Sequence, residues 1–365
     1  MPGPSLAASP AGPTAPGPVG AAPPAGPRVR SFLRRHPVLL LLLLTPGIPE
    51  YLSGSSAIAA LLLNPGLFLF QLVANLGLYG PGALLIRETV VRRGKSWPSL
   101  LAFGCAYAIL EEGIALSTLF NPQAGVVGVL GYYGHFAGVS WVWTIGLLMV
   151  HTVYSISLPI VLVTLALPET RGRPLLSLRQ VRLVSVVLVV DVSVLFLFVL
   201  LGLHFWMGAP ILVGSLGAIA LLVWIGLRLG PGVIPPATAA PARSPSTFFV
   251  LGVVLFPGTL LLEGFLGTLA VPAAITFFAV GLFYVVWGGL VLPSIGRRRN
   301  ERALVALASG LLAPIMAFGV LSQLYLPLVL LLDVAMILFL RALWRGYPEE
   351  RVEPAAVPAG ARGVA

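Results

Sequence analysis

Apolar residues in this chain run in long, nearly unbroken stretches. They show neither the alternation of a half-buried strand nor the one-sided stripe of a water-facing helix. The stretches recur between positions 37 and 344, separated by short segments rich in Gly, Pro and Arg. A helix needs about 20 predominantly apolar residues to cross a hydrocarbon core. On that rule the pattern predicts spans near 37–57, 66–91, 97–119, 138–167, 181–203, 209–228, 247–267, 271–293, 302–321 and 324–344. The expected fold is all-α, a polytopic integral membrane helix bundle of about ten transmembrane helices. Pro46, Gly47 and Pro49 fall inside the first span and are expected to break it or make it re-entrant.

The remaining segments read as tails and a linker. Residues 1–30, built mainly from Pro, Ala, Gly and Ser, bury too little apolar area to offset chain entropy and are expected to be a disordered cytoplasmic tail. Helices one to six occupy 31–229, a Pro-rich cytoplasmic linker 230–246, helices seven to ten 247–345, and a second cytoplasmic tail 346–365. Arginines before the leucine run at 38–44 resemble the start of a signal peptide. No small-residue cleavage site follows closely, however, and apolar stretches continue for the rest of the chain.

Composition agrees with lipid as the solvent. Of 365 residues 58% are hydrophobic and 9% charged, with a mean hydropathy of +0.99, whereas soluble domains carry about 25% charged residues. The net charge of +10 sorts to one side of the predicted topology. Arg92, Arg93 and Lys95, then Arg171, Arg173 and Arg179, then Arg243, then Arg297, Arg298 and Arg299 lie in connections facing the same side as the basic tails. Connections near 58–65, 120–137, 204–208, 268–270 and 322–323 contain no Lys or Arg. The positive-inside bias therefore predicts cytoplasmic N and C termini, and it accounts for the basic charge without a nucleic-acid partner. Trp97, Trp141, Trp143, Trp206 and Trp344 fall near span ends, as interface anchors do. The single cysteine, Cys105, excludes a disulfide framework and a cysteine-based metal centre.

Ionisable residues within spans cost at least about 2.5 kcal/mol each near the bilayer centre on insertion scales, so each needs a reason. They are Glu50, Glu111, Glu112, His151, Asp191, Glu263 and Asp333. Span three runs outward and places Glu112 about 12 Å below its outer end at 1.5 Å per residue. Span four runs inward and places His151 about 16 Å deep by the same rise. If the two are antiparallel neighbours, carboxylate and imidazole meet. Two adjacent carboxylates in a low dielectric do not both ionise cheaply, which leaves one acid and one base or a proton-sharing pair. Ser155 lies one turn from His151 on the same face and can orient the ring or react itself. Glu50 can reach a similar depth. Arg87 and Glu88, near the cytoplasmic end of span two, read either as accessory polar residues or as a snorkelling pair. The connection 121–138 repeats glycine at Gly125, Gly128, Gly131 and Gly134, and begins at Asn121-Pro122. It reads as a lid or as a plain loop, from which His135 can approach the site. The competing explanation for the whole cluster is hydrogen-bonded glue between helices.

The Glu111-Glu112 pair followed by His151 on a later helix resembles the CAAX-protease and bacteriocin-processing family of glutamic intramembrane proteases. Leu116 stands where that family's EExxxR motif has arginine, and Ser155 where its third motif has asparagine. The resemblance implies water activated by Glu111 or Glu112, with His151 as partner, against a membrane-anchored peptide. Ala83-Leu84-Leu85-Ile86-Arg87-Glu88, the Glu-Glu-Gly step, Leu119-Phe120-Asn121-Pro122 and Trp141-Val142-Trp143-Thr144 resemble a group of uncharacterised prokaryotic polytopic membrane proteins, which implies no established activity. No HExxH, GxSxG or P-loop motif occurs, and the aspartates lack a Gly-x-Gly-Asp context, so no cofactor or metal is expected. The residues thus point to a glutamic-type intramembrane peptidase. A proton- or ion-coupled transporter of a small solute and a non-catalytic membrane subunit are the alternatives.

Overall fold

The computed structural model describes residues 27–56, 60–230, 243–295, 301–322 and 327–347. Positions 1–26, 231–242 and 348–365, and with them most of the expected tails and linker, lie outside the described residues.

Among the described residues the chain forms twelve α-helices, some continued or interrupted by π-helical turns, and one small hairpin. Helix α1 is Pro27–Arg35, so the last part of the expected N-terminal tail is helical. Helix α2 is Pro37–Pro46, continued by a π-helical turn, Gly47–Leu52. A short α3, Ala60–Leu63, precedes α4, Pro65–Arg92. Helix α5 is Trp97–Ala108 with a π-helical end, Ile109–Ala115. The connection to α6 carries strands β1 (His135–Phe136) and β2 (Val139–Ser140), paired antiparallel. Helix α6 runs Trp141–Ala166 with a π-helical centre, His151–Ser157. The rest are α7 (Leu178–Gly202), α8 (Ala209–Arg228), α9 (Pro245–Thr268), α10 (Ala273–Ile295), α11 (Glu301–Ser322) and α12 (Pro327–Gly346).

Seven of these are long and apolar enough to cross a membrane: α4, α6, α7, α8, α9, α10 and α11, with Pro37–Leu52 a shorter apolar helix. The protein is an all-α, multi-pass membrane bundle whose lipid-facing surface is hydrocarbon. The bounds follow local chemistry. Asn64 caps α4, its side chain accepting from Leu67 N, and Pro65 takes a first-turn position that lacks a donor requirement. Ser177 and Gln180 form a reciprocal capping box at the start of α7. The expected break at Pro46 and Pro49 is instead a change of register. The helix widens into the π-helical turn and continues to Leu52, with Pro46 and Pro49 inside it.

Helices α6 and α11 are the most enclosed, with 67% and 56% of their most apolar stretch buried, against 11% for α7 and α8. In lipid, burying apolar surface between helices gains little, so contact depends on close packing at small residues. Helices α9 and α11 meet at Gly252 and Gly310. A Cβ on Gly252 would lie 2.5 Å from Leu307 O, and one on Gly310 would overlap Phe249 O. A Cβ on Gly319 would likewise overlap Leu52 O, which pins α11 to the end of α2. Gly310→Ala is therefore expected to destabilise the protein by about 1–3 kcal/mol, the usual range for overpacking. Gly289→Ala, where nothing lies within 4 Å, is expected to lose nothing. Thermal unfolding of the two variants in detergent checks the contrast.

Candidate functional site

The four expected catalytic residues, the accessory Glu50 and one further intramembrane carboxylate, Glu263, lie in π-helical turns. Glu111 and Glu112 are in Ile109–Ala115, His151 and Ser155 in His151–Ser157, Glu50 in Gly47–Leu52 and Glu263 in Leu261–Phe265. Successive side chains on a regular helix diverge by about 100°, which sets consecutive glutamates on different faces. The wider turn narrows that angle and lets both face α6. The helices approach closely enough because Gly104 of α5 sits on Thr152 of α6. A Cβ there would lie 2.9 Å from Thr152 Cγ2 and 3.0 Å from its Cα.

His151 lies between the two carboxylates. Its Nε2 is 3.0 Å from Glu112 Oε1 and its Nδ1 is 2.9 Å from Glu111 Oε2. Ser155 Oγ stands 3.1 Å from the same Nδ1. Glu112 Oε2 also accepts from the Thr118 hydroxyl, which Trp143 Nε1 approaches at 3.4 Å. Glu111 is fully buried, with its Oε2 paired to the imidazole through Nδ1. Glu112 retains 8% exposure and is the accessible member of the pair. Protonated imidazole beside two carboxylates carries a net charge of −1. Neutral imidazole beside one carboxylate and one carboxylic acid carries the same charge and the same protons. Proton movement between these groups therefore leaves the charge of the cluster unchanged. One ligating atom from each of Glu111, Glu112 and His151 lies within 4.8 Å of the others.

Three residues that the sequence did not single out complete the surroundings. Tyr79 of α4 stacks on His151, with ring centroids 6.1 Å apart and planes at 23°, and its hydroxyl donates to Glu50 Oε1 at 2.5 Å. Glu50 Oε2 accepts from Ser56 Oγ at 2.6 Å. Glu50 therefore reaches the cluster through Tyr79. Tyr107 packs against the Tyr79 ring, at a centroid distance of 6.3 Å, over Gly82, where a Cβ would collide with it. Thr118 bonds Glu112 from the end of the same turn. The Gly80-Pro81-Gly82 step beside Tyr79 was the available signal, since small residues within a span mark a close approach.

The other accessory residues lie elsewhere. Arg87 and Glu88 are buried, neither snorkelling nor near His151, and about 12 Å farther along α4 than Tyr79 at 1.5 Å per residue. Arg87 Nη1 pairs with Glu88 Oε1 at 3.1 Å, while Nη2 donates to Thr170 O at 2.7 Å and Arg173 O at 3.1 Å. Glu88 accepts from Leu175 N at 2.6 Å and from Arg92 Nε at 3.0 Å. These residues clamp the connection between α6 and α7. Asn121 Oδ1 accepts from Gln123 N at 3.1 Å, a local turn. His135 Nδ1 bonds Ser140 Oγ at 3.0 Å in the hairpin and does not join the cluster. That connection is folded, with Ser140 N donating to Leu119 O at 2.9 Å and the Tyr133 hydroxyl to Val271 O at 2.7 Å. Glu263 lies against Gly146 of α6, Asp191 against Gly77 of α4, and Asp333 faces a groove of about 900 Å³ between α11 and α12.

Removing one partner of a buried ion pair typically costs about 3–5 kcal/mol. Arg87→Ala is expected to destabilise by that order, with proteolysis appearing first in the 168–176 connection. Limited proteolysis followed by mass spectrometry checks the site of opening.

No curated protein and no solved structure matches the chain. A family model does, over residues 39–349, and it is described as an uncharacterized membrane protein family. That match covers every helix from α4 to α12 and the whole cluster, so it includes the second of the two resemblances seen in the sequence. The chain belongs to this membrane protein family.

Proposed function

We propose that the chain crosses the plasma membrane of a prokaryotic cell about ten times with both termini cytoplasmic, and that Glu111, Glu112 and His151 form the site of a glutamic-type intramembrane peptidase. The observation that carries the reading is the imidazole held at 2.9 and 3.0 Å between two buried carboxylates. Three spans beyond the seven evident ones are Pro37–Leu52, the α5 segment with its π-helical end, and α12, whose central stretches are apolar.

Glu112, the more accessible carboxylate, is the base. It takes a proton from water as the water oxygen attacks the peptide carbonyl carbon. The C–N bond then breaks as the nitrogen receives that proton, passed from Glu112 or through His151. The second water hydrogen stays with the new carboxyl group, and the protein returns to its starting protonation. Ser155 positions the ring through Nδ1, and Glu111 favours the imidazolium formed during transfer. A membrane-anchored peptide is the substrate class that reaches a site at this depth.

A proton-coupled carrier of a small solute is the second reading. It is favoured by the polar string Ser56, Glu50, Tyr79, His151, Glu112 and Thr118, which links α2, α4, α6 and α5. General acid–base catalysis contributes about 10²–10⁴-fold, so Glu112→Gln is expected to lower cleavage of a membrane-anchored peptide library at least 100-fold with folding retained. Proton-linked solute uptake by reconstituted protein, with no cleavage by the wild type, would replace the peptidase by the carrier. Orientation is tested on a Cys105→Ser background. A membrane-impermeant maleimide applied to intact cells is expected to label Val129→Cys and to leave Arg93→Cys unlabelled, and the reverse pattern would invert the topology.

A further inference from the structure

We propose that the groove between α11 and α12 binds a lipophilic organic cation, an amine carried on an apolar body, with its ammonium group on Asp333. The groove lies on helices that supply no residue of the Glu111, Glu112 and His151 cluster, so the inference is independent of what that cluster does.

The cavity is the first observation. It measures about 900 Å³ and lies between Met316, Ala317 and Val320 of α11 and Leu330, Val334 and Ile337 of α12. Sites for drug-sized ligands measure about 300–1,000 Å³. Leu330, Val334 and Ile337 are exposed, so the groove opens sideways, where the bundle meets hydrocarbon. A ligand dissolved in the bilayer reaches it without passing through water.

Asp333 is the second observation. It interrupts the apolar run Leu328–Leu340, about 9 Å from the start of α12 at 1.5 Å per residue. It lines the groove and keeps 6% exposure, and its Oδ1 is enclosed without a hydrogen-bond partner among the described residues. The buried Glu88, by contrast, is occupied by Arg87, Arg92 and a backbone N–H. A carboxylate set among apolar side chains without a donor needs a cation or a proton.

The groove itself does not supply that cation. Ser309 lines it, but its hydroxyl donates to Val305 O at 2.8 Å. Arg341 stands eight residues on, about 12 Å along the helix by the same rise. A bare metal ion requires several ligands, and Asp333 is the one carboxylate in the lining. Among the described residues His151 is the one cationic side chain set as far inside a helix as Asp333, and it is buried between its own carboxylates. A second copy of this chain therefore has no cation to offer at that position. A foreign spanning helix about 10 Å across and 30 Å long displaces roughly 2,400 Å³, more than the groove holds. An amine on a compact apolar body meets both the charge and the volume. Its orientation follows from the far end of the groove, where Arg341 stands beside Trp344 and the Arg302 guanidinium lies 4.3 Å over the Trp344 ring. Positive charge there repels the ammonium toward Asp333 and leaves the Trp344 end to the apolar body.

The test uses the full chain in nanodiscs and dodecylamine carrying a diazirine at its tail, with the alcohol of the same length as control. After illumination, mass spectrometry is expected to place the label on the facing residues of α11 and α12, at least tenfold more for the amine than for the alcohol. That comparison needs no substitution. Asp333→Asn is expected to lower labelling by the amine at least tenfold and Asp333→Glu to restore it, whereas Asp191→Asn, an intramembrane carboxyl group elsewhere, leaves it unchanged. Ala317→Trp, which fills the groove and keeps the charge, is expected to abolish labelling there. Equal labelling by amine and alcohol would make this a plain acyl-chain groove with Asp333 protonated, and would overturn the proposal. Labelling of other helices, or labelling that Asp333→Asn leaves intact, would overturn it as well. A dimeric wild type whose groove neither probe labels would assign the surface to a second copy instead.

Discussion

A polar group inside a bundle surrounded by lipid must find its partner on a neighbouring helix, and the contact between Glu112 and His151 is the one around which the first half of this protein is arranged. At 3.0 Å it fixes the rotation of α5 against α6. The glycine at Gly104 fixes their separation, since any side chain there would push Thr152 and its backbone away. Tyr79 then ties α4 to the same ring by stacking, and its hydroxyl ties α2 through Glu50. Four helices are thus placed by one imidazole and the groups that surround it. A single buried hydrogen bond has a modest net effect, but leaving its members unpaired costs more. The arrangement is therefore specified more by the cost of its alternatives than by the strength of its bonds.

The apolar pattern made the helices legible because a spanning helix writes a run of fixed length into the sequence. Helix α8 begins and ends where the pattern put it, and α9 and α11 shift by no more than two residues at either end. The Glu111, Glu112 and His151 juxtaposition was also legible, since depth along two antiparallel helices follows from the rise per residue alone. What the pattern left open was rotation. Nothing in the sequence says which face of α4 turns toward α6, so Tyr79 was invisible while Glu50 was not. The same gap explains Arg87 and Glu88. Their position near a helix end suggested snorkelling, but the 168–176 connection folds back over them and uses their charges to hold its backbone. Long-range carbonyl partners leave no periodic signal. Asn121 and His135 serve the local geometry of a folded loop, through Gln123 N and Ser140 Oγ, which a sequence pattern cannot tell from a site.

Backbone register is the remaining link between sequence and site. Four of the five π-helical turns among the described residues contain an ionisable side chain: Glu50, the Glu111-Glu112 pair, His151 and Glu263. The fifth, Phe198–Gly202, ends α7 and contains none. Such turns are uncommon and are retained chiefly where they re-aim side chains. In α5 the consequence is specific, because the widened turn brings two consecutive carboxylates to one imidazole. In α2 the widened turn absorbs two prolines and brings Glu50 to Tyr79 instead of ending the helix. Glu263 repeats the device in the second half, where its carboxylate occupies the space above Gly146, five residues from His151 on the same helix. Helix α6 therefore touches both the cluster of the first half and Glu263 of the second. Widened turns at the ionisable residues and glycines at the crossings are two parts of one solution, since the first aims the polar groups and the second lets the helices come close enough for them to meet.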